Sequence, residues 1–199
     1  MVVVCVERGK PVVLSRKRVQ LVETYTYAFR QPYHTAEKMP LVEARAFVAR
    51  MRAEARRLAY RAIREVQSEL QEAGMKLTKC GLLLASGRAL PALEKIVASH
   101  ALIHTADGEL FREALLHACG RCGMSEFAIR EKELLERAGK VLRVKPEELM
   151  RRVTALGKSV GAPWSQDEKF ATLVAWLASN AHAQEIFKGL KNVQPLTRM

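Results

Sequence analysis

The chain has 199 residues, 49% hydrophobic and 27% charged, with a formal net charge of +12 and a pI near 9.9. That balance excludes a disordered chain, and no apolar run approaches the roughly 20 residues a membrane helix needs. The positive surplus is either an arginine-rich solvated surface or the footprint of a polyanion, nucleic acid above all.

The opening MVVVCVERGK lacks a basic segment followed by a long apolar stretch, so no export signal is expected and the chain reads as cytoplasmic. In that setting Cys5, Cys80, Cys119 and Cys122 are expected as thiols rather than a disulfide framework.

Residues 2–7 (VVVCVE) and 11–22 (PVVLSRKRVQLV) are β-rich runs joined at a hairpin-like spacing by Arg8, Gly9 and Lys10. Residues 24–34 (TYTYAFRQPYH) alternate as a third strand that Pro32 ends or confines to an edge. From Pro40 to Ala73 the period changes: Leu41, Ala44, Val48, Met51, Ala55, Leu58, Ala62, Val66 and Leu70 make one stripe of a long helix that Gly74 terminates. Arg45, Arg52 and Arg56 flank that stripe, while Arg50, Arg57, Arg61 and Arg64 project outward, with Glu54 the only acid between Arg45 and Arg64. Such a surface is either solvated and paired with distant acids, or faces phosphate.

Residues 75–86 read as a strand buried on both sides near its end, because 81–85 carry no polar side chain. A helix is expected from about Pro91 and another from near Asp107, an N-cap residue followed by Gly108. Residues 125–131 (SEFAIRE) read as a last strand, with helix as the competitor. Three helical segments follow, at roughly 131–143, 146–157 and 166–179. Ser165 and Glu168 have the spacing of a capping box, and the residues from 181 on read as a tail on a single domain of 1–180.

This order, three strands, a long helix, then alternating strands and helices, resembles the ribonuclease H-like fold, including its Holliday-junction resolvase branch. The resemblance covers about residues 1–180 and rests on topology. It implies a mixed α/β sheet, a three-strand antiparallel meander plus parallel strands, flanked by helices with a helical C-terminal part. It also implies phosphodiester cleavage by Mg²⁺ or Mn²⁺ held on carboxylates. The matching positions are Glu7 at the end of the first strand and Asp167 before the last helix as metal ligands, with Glu43 at the start of the long helix as a further catalytic candidate. Where the family has an acid after its fourth strand, this chain has Ala85, Ser86 and Gly87, a departure that points to a degenerate or repurposed site.

His100 and His104 lie one turn apart among Leu93, Ile96 and Val97 on an apolar face. They are core imidazoles, an acid–base pair lining a pocket, or two ligands of a metal ion. If the helix runs on, Asp107 joins the same arc as a ligand or an orienting carboxylate; if Asp107 caps the next helix, it does not. His117, Cys119 and Cys122 in LLHACGRCG suggest zinc or a redox pair, but no second pair completes a zinc set and the cysteines close a helix, where the dipole does not favour a thiolate. Ser86 and Arg88 follow a buried strand, a position suited to binding an anion.

Two readings follow. One is a nucleic-acid-binding domain that uses the arginine face, with any cleavage resting on Glu7, Asp167 and Glu43. The other is a small-ligand or protein-binding domain with a pocket at His100, His104, Ser86 and Arg88. A homo-oligomer assembled through the long helix is a third.

Overall fold

The structure, a computed structural model, describes residues 1–84 and 89–180. The described residues divide into two compact units: 1–18, 79–84 and 125–180 form the first, and 19–78 with 89–124 the second.

In the first unit the β-branched opening pairs as an antiparallel hairpin, β1 (Val2–Glu7) with β2 (Lys10–Arg16), from Val2 opposite Arg16 to Glu7 opposite Lys10. Arg8 and Gly9 both have positive φ (49° and 76°), the backbone of a two-residue type I′ turn, which matches the twist of the strands it joins. β3 (Lys79–Leu84) and β4 (Ser125–Arg130) form a separate parallel pair.

Among the described residues this unit also holds α6 (Glu131–Leu142), α7 (Pro146–Ala155), the short α8 (Gly157–Val160) and α9 (Gln166–Ser179). Its core gathers Phe127 and Ile129 of β4, Leu134 and Ala138 of α6, Leu149 and Val153 of α7, and the apolar face of α9 from Leu173 to Ala178. Gly81 permits β3 to approach α9, because a Cβ there would stand 2.7 Å from Val174 Cγ1 and 3.2 Å from the Val174 backbone. At the start of α9, Ser165 and Glu168 form the reciprocal capping box that their spacing predicts.

The second unit is helical: α1 (Tyr27–Arg30), α2 (Pro32–Ala36), α3 (Leu41–Glu72), α4 (Leu93–Val97) and α5 (His100–Arg121). α3 buries the expected stripe except Leu41, which is exposed, and Ala62, which is half-buried, and adds Phe47, Ala59 and Ile63. Gly74 (φ 71°) ends it in a Schellman motif, Met75 N–H donating to the Leu70 carbonyl at 2.8 Å.

Three expectations are corrected. The ribonuclease H-like sheet is absent among the described residues: β1 and β2 pair only with each other, and so do β3 and β4, so the chain has two small sheets among many helices in place of a meander continued by parallel strands. Residues 24–34 do not make the third strand, because Pro32 takes the first position of α2, where its fixed φ and missing N–H suit a helix start. No helix starts at Asp107; α5 runs unbroken from His100 through Asp107 and Gly108 to Arg121.

Candidate metal centre

The continuity of α5 decides the arrangement of its polar residues. Positions 100, 104 and 107 of one helix fall within a narrow arc, beside the face on which Ile103, Ala106, Leu110 and Ala114 are buried. Asp107 sits inside that face and is buried, whereas His100 and His104 stand at its edge and are exposed. The two histidines are therefore not core residues. Their Nε2 atoms are 3.0 Å apart, one donating and the other accepting.

Opposite them α2 supplies His34, which is buried. Its Nδ1 is 2.6 Å from Asp107 Oδ2, and the other carboxylate oxygen accepts the Tyr33 backbone N–H at 2.7 Å. A carboxylate only accepts, so Nδ1 carries the proton in this contact and Nε2 is the nitrogen through which the ring can bind an ion. The His34 ring lies edge-on to His104 at 4.5 Å between centroids and to His100 at 5.6 Å. One nitrogen from each of the three imidazoles can be chosen so that all lie within 4.8 Å of one another, the one such group of histidine, cysteine and acidic side chains among the described residues.

These distances fit an ion. Metal–nitrogen bonds of about 2.0–2.1 Å in a tetrahedron put ligand nitrogens about 3.4 Å apart. The His100–His104 spacing is already near that value, and the exposed rings are free to close the remainder by rotation. Behind His34 the support is firm. Tyr33 is buried, its hydroxyl faces Arg52 at 3.5 Å, and burial pushes its phenol above the usual value. Arg56 holds Glu113 of α5 through a bidentate pair, with both Nε contacts at 3.0 Å. Tyr27 of α1 meets His34 from outside, ring to ring at 6.5 Å.

The other candidates are placed differently. Glu7 closes β1 beside the turn, opposite Lys10, whereas α9 begins at the far end of the hairpin, where Arg16 reaches Glu168 at 3.6 Å. Five residues of strand separate those ends, about 17 Å at the antiparallel rise. Asp167, in the first turn of α9, thus stands away from Glu7. Glu43 lies in the first turn of α3, in the other unit. Ser86 and Arg88 fall outside the described residues. Cys119 and Cys122 close α5, Cys122 as its C-cap, and burial pushes the Cys122 thiol up, away from thiolate. His117 is exposed on α5.

The residue that sequence reasoning missed is His34. Its signal was chemical rather than periodic: two histidines and an aspartate on one helix lacked a third imidazole, and YH at 33–34 stands next to a proline that can start a helix. Compared with known proteins, the chain matches no family model, no curated sequence and no solved structure. No described helix is long and apolar enough to cross a membrane.

Proposed function

We propose that the helical unit is a divalent transition-metal centre, with His34, His100 and His104 as ligands and a fourth position open to solvent. The carrying observation is the row Asp107–His34 facing the His100–His104 pair, with the first contact at 2.6 Å and the pair at 3.0 Å. Three imidazoles suit zinc and its neighbours; Mg²⁺ and Mn²⁺ prefer oxygen ligands. A carboxylate behind a metal-binding histidine is the usual way its tautomer and orientation are fixed.

Three protein ligands with an open position are the pattern of zinc sites that act on a water or a substrate, and the bound ion lowers the pKa of its water towards neutrality. The chain's own contribution is geometric. Asp107 and Tyr33 N–H fix α2 against α5, the Asp107 contact on Nδ1 leaves Nε2 as the His34 nitrogen for an ion, and the two exposed histidines leave the site reachable from solvent.

The test is equilibrium dialysis of the full chain against zinc, with elemental analysis of what remains bound, followed by cobalt(II) spectroscopy. The expected result is about one equivalent per chain, loss of it in the H100A/H104A variant, and tetrahedral cobalt(II) bands that shift when thiocyanate is added. Because both histidines are exposed, that variant keeps the wild-type circular dichroism. No retained zinc, or equal retention in wild type and variant, overturns the reading.

A further inference from the structure

The outer face of α3 carries a second chemistry. At 100° per residue, Arg50, Arg57, Arg61 and Arg64 fall within an arc of about 60°, and all four are exposed. From Arg50 to Arg64 the row is about 21 Å long at 1.5 Å per residue. The flank formed by Arg45, Arg52 and Arg56 is engaged inside the unit, by Glu94, Tyr33 and Glu113 respectively. The outer row is held only by neutral groups of its own helix, Arg50 lying over the Phe47 ring at 5.4 Å and Arg64 donating to Gln67 at 3.2 Å, or by one exposed acid. Among the described residues only Arg57 has a carboxylate, Glu23, and both side chains of that pair are more than half exposed, at 52% and 60%. An exposed pair of this kind contributes about 0–1 kcal/mol and yields to a stronger anion.

What lies between the arginines is equally telling. Ala53 lies between Arg50 and Arg57 on one side of the row and Ala46 precedes it, while Glu54 on the other side is taken by the Glu23 backbone N–H at 2.6 Å. Tyr60 borders the row. Arg121, at the end of α5, stacks over its ring at 4.6 Å and adds a fifth cation.

We propose that this face binds the sugar–phosphate backbone of a nucleic acid, without reading its sequence. Arginine forks match phosphate oxygens bidentately, and an aromatic ring beside a cationic row is the usual arrangement for holding a polynucleotide strand. A membrane fits less well, because Val42 is the one strongly exposed large apolar side chain among the described residues of α3, too little to enter the lipid. The proposal is independent of the metal centre.

The experiment measures fluorescence anisotropy of labelled mixed-sequence oligonucleotides, single-stranded and duplex, with EDTA present so that the histidine site plays no part. Wild type binds with an affinity that falls steeply with salt. R61E/R64E weakens binding on the order of tenfold or more and lowers the log–log salt slope by about two. The control K132E/K145E makes the same change in net charge at exposed lysines of the other unit and leaves binding within about twofold. Equal weakening by the two double variants, no oligonucleotide binding at all, or binding only to phosphatidylserine vesicles overturns the proposal.

Discussion

Asp107 of α5 and His34 of α2 meet through a 2.6 Å hydrogen bond across 73 residues of chain, and the same carboxylate takes the N–H of Tyr33 at 2.7 Å. One buried acid thus docks a short helix and sets the proton of an imidazole. Asp107→Asn breaks this in a defined way. With its oxygen towards Tyr33, the amide NH₂ faces Nδ1 and drives the imidazole proton to Nε2, the ligand position; with the amide turned over, NH₂ opposes the Tyr33 N–H. Metal affinity falls about 10–100-fold, measured by competition with a chromophoric chelator. Unchanged affinity would show that Asp107 is structural only.

Two glycine-to-alanine changes have opposite outcomes. In β3, Gly81→Ala puts a methyl group against the side chain and backbone of Val174, and overpacking of this kind costs about 1–3 kcal/mol. Adding Val174→Ala relieves the Cγ1 contact at 2.7 Å but not the backbone contacts at 3.2 Å, so recovery is partial. In the middle of α5, Gly108→Ala meets only the far end of the Arg112 side chain, which can swing away. There the gain in helix propensity stabilises the chain by about 0.5–1 kcal/mol. Urea unfolding curves of the three variants check the signs.

The core of the first unit is shared by α6, α7, α9 and β4, and Leu149 has no exposed surface. Leu149→Ala removes three buried heavy atoms and leaves a cavity, at a cost of about 2–5 kcal/mol. Urea unfolding followed by Trp176 and Trp164 fluorescence reports it, since both rings belong to this unit.

Acid sensitivity is expected at the start of α9. The Glu168 carboxyl is held below the usual value first by the Ser165 backbone N–H at 2.7 Å, then by the Ser165 side chain and by Arg16. A lowered folded-state pKa makes a contribution that is present above the unfolded value, 4.5, and is lost as pH falls through the folded one. Thermal unfolding between neutral pH and pH 3 should therefore show a steeper acid loss in wild type than in Glu168→Gln. The variant is less stable at neutral pH and converges on wild type in acid. Parallel curves would remove Glu168 from the acid response.

Signals carried by local geometry were legible in the sequence. The apolar period of α3, the glycine that ends it, the hairpin at Arg8–Gly9 and the Ser165–Glu168 box each depend on a few neighbouring residues, and each appears in the structure. The arrangement of strands was not legible, because pairing is a long-range choice. Residues 24–34 alternate well enough for a strand, yet Pro32 starts α2 instead. The histidine centre was half visible. His100, His104 and Asp107 share an arc only if the helix is continuous, and Asp–Gly, a favoured helix start, argued against continuity. Tertiary bonds to Asp107 outweigh that local preference, and they come from His34 and Tyr33, which no spacing rule links to α5.

The first unit is sewn from three separated stretches of chain, with α9 lying against both β1 and β3. During synthesis the opening hairpin must therefore wait for residues 166–179 before its apolar side is covered, roughly ten to thirty seconds at ribosomal speed. The helical unit, complete by residue 124, can mature in that interval. Removing α9 would leave the apolar side of that hairpin bare however long ago the ribosome had finished.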